Sequence, residues 1–237
     1  MLVAAAVCPV RRSWCPRSPP GPRPNSTPRR AACLDAVGVL AASRPDLLVV
    51  VGPGDGSTAG AYPAGAYGSF RGFGVDLDVT LGAPDPAAPG PRLPDSLAVG
   101  AWLLERARWT GAPVEALAVD GRAPVGKCAG AGQELAARAD RVALLVMGDG
   151  SACRTVKAPG YLDERAEAFD ARVTEALGAA DLAALDALDE TLAYDLKAAG
   201  RAPWQLLSGA ARGAGLDGRL LYEDAPYGVG YTVAAWS

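Results

Sequence analysis

Three runs of unbroken apolar residues constrain this chain most: 2–7 (LVAAAV), 47–52 (LLVVVG) and, after its first arginine, 141–147 (RVALLVM). A strand that is apolar at every position needs cover on both faces, which is the pattern of a parallel sheet held between helical layers. Helical composition over 31–43, ended by Arg44-Pro45, separates the first two runs, and Gly-Pro-Gly closes the second. That is a β-α-β start, joined by a right-handed crossover.

Further strands are predicted at 75–81, where apolar and acidic residues alternate, and at 114–119. Helices are predicted from Asp95 or Ser96 to 107, around 133–138, over 163–178, within 181–199 and over 203–214, where Pro203 falls in a first turn. Residues 218–222 and 229–235 read as a closing strand pair around Ala225-Pro226-Tyr227-Gly228. The expected architecture is an α/β sandwich, one domain over 1–237. It has a largely parallel central sheet, helices on both faces and a C-terminal antiparallel strand pair.

Net charge is −3, with no acidic or basic tail in the second half, so neither nucleic acid nor a membrane surface is an expected partner. The apolar stretch 2–8 is far too short to span a bilayer, and no basic residue precedes it as a secretory signal requires. Cys8, Cys15, Cys33, Cys128 and Cys153 are odd in number and irregularly spaced, as reduced cytoplasmic thiols would be. Homo-oligomerisation is left open.

Residues 10–30 do not share this texture. They hold six arginines, six prolines and no acid. Such a stretch reads as a basic loop, as a basic arm for nucleic acid, or as a frame-shifted stretch of a GC-rich gene. The last is favoured, because reading GC-rich codons from the third base of the Pro9 codon gives an ordinary Leu/Val/Ala-rich strand-to-helix connection. Poor packing and local mobility are expected there.

Histidine is absent from all 237 residues. It is the commonest metal ligand and the one side chain that titrates near neutrality when unperturbed, so most ordinary metal and acid–base schemes go with it.

Five blocks carry a resemblance: AAVCP (5–9), YPAGAYGSFRGFG (62–74), LVMGDGS (145–151), KAPGYLDERAEAFD (157–170) and YEDAPYGVGY (222–231). Together they resemble the class III extradiol ring-cleavage dioxygenases of the catalytic-subunit-B type, LigB-like and Memo-like, over nearly the whole chain except 10–30. The resemblance implies an α/β domain with its site at the carboxyl ends of parallel strands. It also implies non-haem Fe(II) held by two histidines and a carboxylate, open to a catechol and O2, with a further histidine as acid/base.

The implied ligands are missing position by position. Val10 stands where the first histidine would, Gly52 to Gly56 where the second would, and Ala152 in place of the acid/base. Only a carboxylate, Glu223 or Asp224, survives as a ligand of the implied type. Fe(II) is therefore the cofactor of the resemblance, and none is expected in this chain. The ligand expected for a surviving crevice is a small aromatic molecule.

The crevice candidates are Asp149, Ser151 and Tyr227, with Tyr62 and Tyr67 at the rim. Ser151 has no conventional base, Lys157 being the remaining candidate. Convergence of Cys8, Asp149, Cys153 and Glu223 or Asp224 would suit Zn or Cu(I) rather than an oxygen-activating iron. The loop 52–58 (GPGDGST) could cradle an anion on its amides, but it matches neither the P-loop nor the dinucleotide spacing. Two functional readings follow: a ring-cleaving oxidoreductase, and a non-catalytic binding or scaffolding module on the same fold.

Overall fold

The structure is a computed structural model describing residues 1–10, 26–83 and 90–237. In chain order its elements are β1 (Leu2–Cys8), α1 (Ser26–Ala42), β2 (Leu47–Gly54), β3 (Gly60–Tyr62), β4 (Tyr67–Ser69), β5 (Asp78–Thr80), α2 (Asp95–Arg106), β6 (Val114–Asp120), α3 (Val125–Ala136), β7 (Val142–Met147), α4 (Arg165–Ala179), α5 (Leu182–Asp186), α6 (Glu190–Asp195), α7 (Arg201–Ala211), β8 (Gly218–Asp224) and β9 (Tyr231–Trp236). Seven strands form the main sheet in the order β3-β6-β2-β7-β1-β9-β8. β6, β2, β7 and β1 pair in parallel. β3 and β9 join antiparallel at either side, and β8 closes antiparallel on β9.

The apolar runs explain this order. β7 is buried at all six positions and lies between β2 and β1, so the strand with no polar face takes the centre. Alternate side chains then feed two layers. Ala143, Leu145 and Met147 pack with α1 and α2, whereas Val142, Leu144 and Val146 pack with α3 to α7. No helix among the described residues is long and apolar enough to cross a membrane.

Several expectations change. β1 and β2 are parallel but not neighbours, because β7 inserts between them. The alternation at 75–81 is real, with Val75, Val79 and Leu81 buried. However, only Asp78–Thr80 forms a strand, pairing with β4 in a separate two-stranded sheet. The turn Arg71–Phe73 and Gly74, at φ 73°, fold the chain back locally. β3 was not anticipated: its three residues carry no apolar run, and they join the sheet by antiparallel pairing to β6.

The Arg/Pro-rich stretch divides. Residues 11–25, with Trp14 and Cys15, lie outside the described residues. Residues 26–30 are the first turns of α1, five residues earlier than the helix anticipated at 31. Pro28 falls in a first turn, where a missing N–H costs nothing. Arg29 is only 2% exposed, with its guanidinium 4.7 Å from the centre of the Tyr231 ring. For Arg29 the expectation of poor packing is wrong, because burial and the cation–π contact secure it. The amides of Cys33, Ala36 and Val37 are expected to show hydrogen-exchange protection on the order of 10³ or more. Coil-like exchange there would refute a packed α1.

Candidate functional site

The parallel strands end together on one edge of the sheet, where the crevice of an open α/β sheet lies. After β7 the chain turns tightly through Gly148 to Ser151. The Gly148 amide donates to the Cys8 carbonyl at 2.9 Å, and the Val10 amide donates to Asp149 Oδ1 at 2.8 Å, tying the end of β1 to this turn. The Asp149 carbonyl accepts from the Gly200 amide at 2.9 Å, so the segment entering α7 covers it. Asp149 is half-buried, and its carboxylate faces the tip of β1.

Ser151 does not face the crevice. It is fully buried, and both its amide and its Oγ donate to the Asp170 carboxylate, each at 2.7 Å. Gly150 and Gly230 approach the same carboxylate so closely that a Cβ on either would lie 2.6 or 2.5 Å from its oxygens. Arg154 adds an ion pair at 3.4 Å. Backbone bonds between Gly150 and Gly230 and between Gly230 and Ser151 complete a staple. Asp170 thus joins the three C-terminal blocks of the resemblance. Burial pushes its carboxyl above the ordinary value, against the opposing pull of the Ser151 and Arg154 hydrogen bonds. Its sequence signal was position: it shares the buried stripe of α4 with Ala166, Phe169, Val173 and Leu177.

Tyr227 is half-buried in the turn before β9. Gly228 there adopts φ 71°, and a Cβ would lie 2.6 Å from Thr155 and Ala158 atoms. Glu223 is exposed. Asp224 accepts from the Tyr222 hydroxyl at 2.9 Å and from the Ala225 amide at 2.8 Å. Burial first, then that bond to Asp224, push the Tyr222 hydroxyl up to about 12. Lys157 is exposed, and Tyr67 is exposed on β4. The Tyr62 hydroxyl donates to the Thr58 carbonyl at 2.8 Å.

The convergence considered for Cys8, Asp149, Cys153 and Glu223 or Asp224 does not occur. Cys8 points into the α1–α2 layer, where the Cys33 thiol is its hydrogen-bond partner. Cys153 belongs to the opposite layer and lies 3.5 Å from the Leu196 carbonyl. Cys8 on β1 and Cys153 in the loop after β7 thus lie in opposite layers of the sandwich. Cys8, Cys33, Cys128 and Cys153 are buried and free. Among the described residues, no three Cys, Asp or Glu side chains gather as a metal-binding group.

A cavity of about 920 Å³ opens at the carboxyl ends of β2 and β6, one strand away from the Val10–Asp149 contact. Asp55, Asp120, Arg122, Tyr194, Lys197 and Arg201 line it. Asp55 Oδ1 accepts from the amides and hydroxyls of Ser57 and Thr58 at 2.7–3.0 Å, which holds its carboxyl down at about 2. The Ser57 and Thr58 amides, which could have cradled a ligand anion, are therefore already bound to this carboxylate. The Arg122 guanidinium lies 4.7 Å from the Tyr194 ring centre and donates to its hydroxyl at 2.8 Å. Buried Arg201 donates to the carbonyls of Ala123 and Gly121 and to Gln205. Lys197 leaves α6 at φ 56° with its side chain exposed.

Arg122, Tyr194 and Lys197 escaped sequence reasoning. Arg122 could have been flagged as the residue after Asp120-Gly121 at a strand's carboxyl end. Tyr194 and Lys197 sit in a helix-rich stretch with no motif, and tertiary packing alone brings them here.

No protein-family model matches the chain, and no curated protein sequence does. Among solved structures, the uncharacterized protein JW3007 from Escherichia coli K12 is similar at a TM-score of 0.56 and 17% identity, over 99% of each chain. At that identity the likeness shows the fold: a mixed α/β domain whose mostly parallel seven-stranded sheet ends in an antiparallel pair.

Proposed function

We propose that this chain is a catalytically silent relative of the class III extradiol ring-cleavage dioxygenases, keeping their α/β scaffold and strand-end crevice as a small-molecule-binding module. One observation carries the reading: none of the three positions where the resemblance implies histidine offers an imidazole nitrogen. Val10 packs its side chain against the α1–α2 core, and its amide is bound to Asp149. The loop after β2 offers Asp55, whose Oδ1 already accepts four hydrogen bonds. Ala152 has no donor atom. Of the two C-terminal carboxylates, Glu223 is exposed and Asp224 accepts from Tyr222 and Ala225.

Non-haem Fe(II) would supply coordination sites for a catechol and O2, and it needs imidazole nitrogens that this sequence lacks entirely. The donor set does not fit that ion. What persists is a concave, partly charged crevice of the size that takes small organic molecules.

Anaerobic loading with Fe(II), desalting and exposure to catechol in air is the direct test. Iron well below one per chain, with no oxygen uptake above the buffer rate, is expected. Calorimetry with small aromatic ligands should detect binding, and a ligand at about 100 times its Kd stabilises the fold by about 2.7 kcal/mol. Stoichiometric iron with a ring-opened product would overturn the proposal in favour of a working oxidoreductase.

A further inference from the structure

We propose that the cavity over β2 and β6 binds a small zwitterion of the α-amino-acid kind, its ammonium against Asp55 and Asp120 and its carboxylate against Arg122 and Lys197. The inference rests on the binding-module reading and names the chemistry of the module's ligand.

The argument is the balance of charge inside the cavity and its division between two walls. Two of the charged lining residues are neutralised by ion pairs: Asp195 by Arg165 at 3.5 Å, and Arg201 by Glu190 at 3.7 Å. Asp55, Asp120, Arg122 and Lys197 make no ion pair among the described residues. Two negative and two positive charges therefore share one concave space without meeting.

The acids stand on the sheet side. Gly54 pairs with Asp120 where β2 and β6 end, which sets Asp55 and Asp120 next to each other. Both are held by neutral donors that leave their charge intact. Asp55 Oδ1 takes the Ser57 and Thr58 donors, and its carboxyl stays ionised down to about pH 2. Asp120 Oδ1 accepts the Arg122 amide at 2.9 Å. The Oδ2 atom of each accepts no hydrogen bond among the described residues.

The cations stand on the helical side. Lys197 lies just past the end of α6. The Arg122 backbone starts beside Asp120, but its guanidinium crosses to Tyr194 on α6, held there by the phenol hydroxyl at 2.8 Å and by the ring. Tyr194 orients the guanidinium without neutralising it, so a planar fork of donors remains for a carboxylate. Opposite charges free to move would close into pairs, but here the loop hydrogen bonds hold one sign and Tyr194 the other. A ligand carrying both charges satisfies the two walls together, whereas a simple anion or cation meets repulsion from one of them. The position outside the carboxyl ends of parallel strands is where open α/β sheets take ligands, and about 920 Å³ leaves room for a side chain.

Each wall offers a variant that spares the fold. Asp120→Asn removes the charge and keeps an acceptor for the Arg122 amide. Lys197→Gly deletes the ammonium at a backbone with φ 56°, where glycine is ordinarily preferred.

The experiment is a thermal-shift screen of the full chain with the free L-amino acids at neutral pH and low ionic strength. Calorimetry follows on the strongest binder, on its N-acetyl derivative, which lacks the ammonium, and on its primary amide, which lacks the carboxylate. The free amino acid should bind, and each derivative about tenfold more weakly. Asp120→Asn is expected to weaken the amino acid about tenfold and to leave the N-acetyl derivative unaffected. Lys197→Gly is expected to do the same, but to spare the amide instead. Neither variant should lower the thermal midpoint. The proposal is overturned if no amino acid binds, if either derivative binds as tightly as the free amino acid, or if either variant binds it like the parent. A small aromatic probe that binds where every amino acid fails keeps the module reading and sinks this one. Iron-dependent ring cleavage would do the reverse.

Discussion

Asp170→Ala is expected to cost the protein about 3–5 kcal/mol, the range for removing one partner from a buried, hydrogen-bonded charge pair. The Ser151 amide and hydroxyl would lose their acceptor inside the core, and Arg154 would lose its buried counter-charge. The glycines at 150 and 230 could not fill the space. Urea unfolding followed by tryptophan fluorescence measures the loss, since Trp204 and Trp236 are both buried.

Asp170→Asn is the informative companion. It keeps an acceptor for the Ser151 amide and can reorient towards the hydroxyl, so its cost at neutral pH should be small. The pH profile separates the two forms. Burial raises the Asp170 carboxyl above its ordinary 3.8, so the native state holds that proton more tightly than the unfolded chain. This contribution to stability is fully present below the unfolded value and is lost as pH rises through the raised native one. Parent and Asp170→Asn curves should therefore diverge over that window, the parent declining. Parallel curves would show that Asp170 titrates as in the unfolded chain.

The second large effect is steric. α7 is buried along all eleven residues and packs on α3 through glycines. A Cβ on Gly209 would collide with the Ala129 backbone, and one on Gly132 with the Leu206 carbonyl and the Ala210 amide. Gly209→Ala or Gly132→Ala must push the helices apart, costing about 3 kcal/mol, or a thermal midpoint lower by roughly 10 °C in a chain of this size. Gly130→Ala is the internal control. It lies on α3, but a Cβ there meets nothing within 4 Å. It should stabilise by about 0.5–1 kcal/mol, because alanine is the better helix former. Equal behaviour of Gly130→Ala and Gly132→Ala would contradict the packing described.

Much of the architecture was legible because periodicity is a local property. The apolar runs 47–52 and 141–147 identified interior strands, and the closing pair near 218–235 emerged within a few residues of its observed bounds. Short elements were not legible. β3 has no apolar signature, and α1 begins inside an Arg/Pro-rich stretch whose composition argued against any helix. Nothing local announces that Arg29 will be buried, since the Tyr231 ring that covers it is two hundred residues away.

The site divides in the same way. The absence of imidazole is a property of composition, and it alone removes the donor set on which ferrous ring-cleavage chemistry depends. Which side chains face solvent and which face the core is a property of packing. Ser151 stands after a strand in a glycine-rich turn, as a crevice residue would, but Asp170, nineteen positions on, draws it inside. Arg122 and Lys197 lie 75 positions apart, and each is unremarkable in its own segment. They share one cavity because β6 ends beside β2 and the chain between α6 and α7 folds over both. Local composition sets what a residue can do chemically; long-range contacts set which residues do it together.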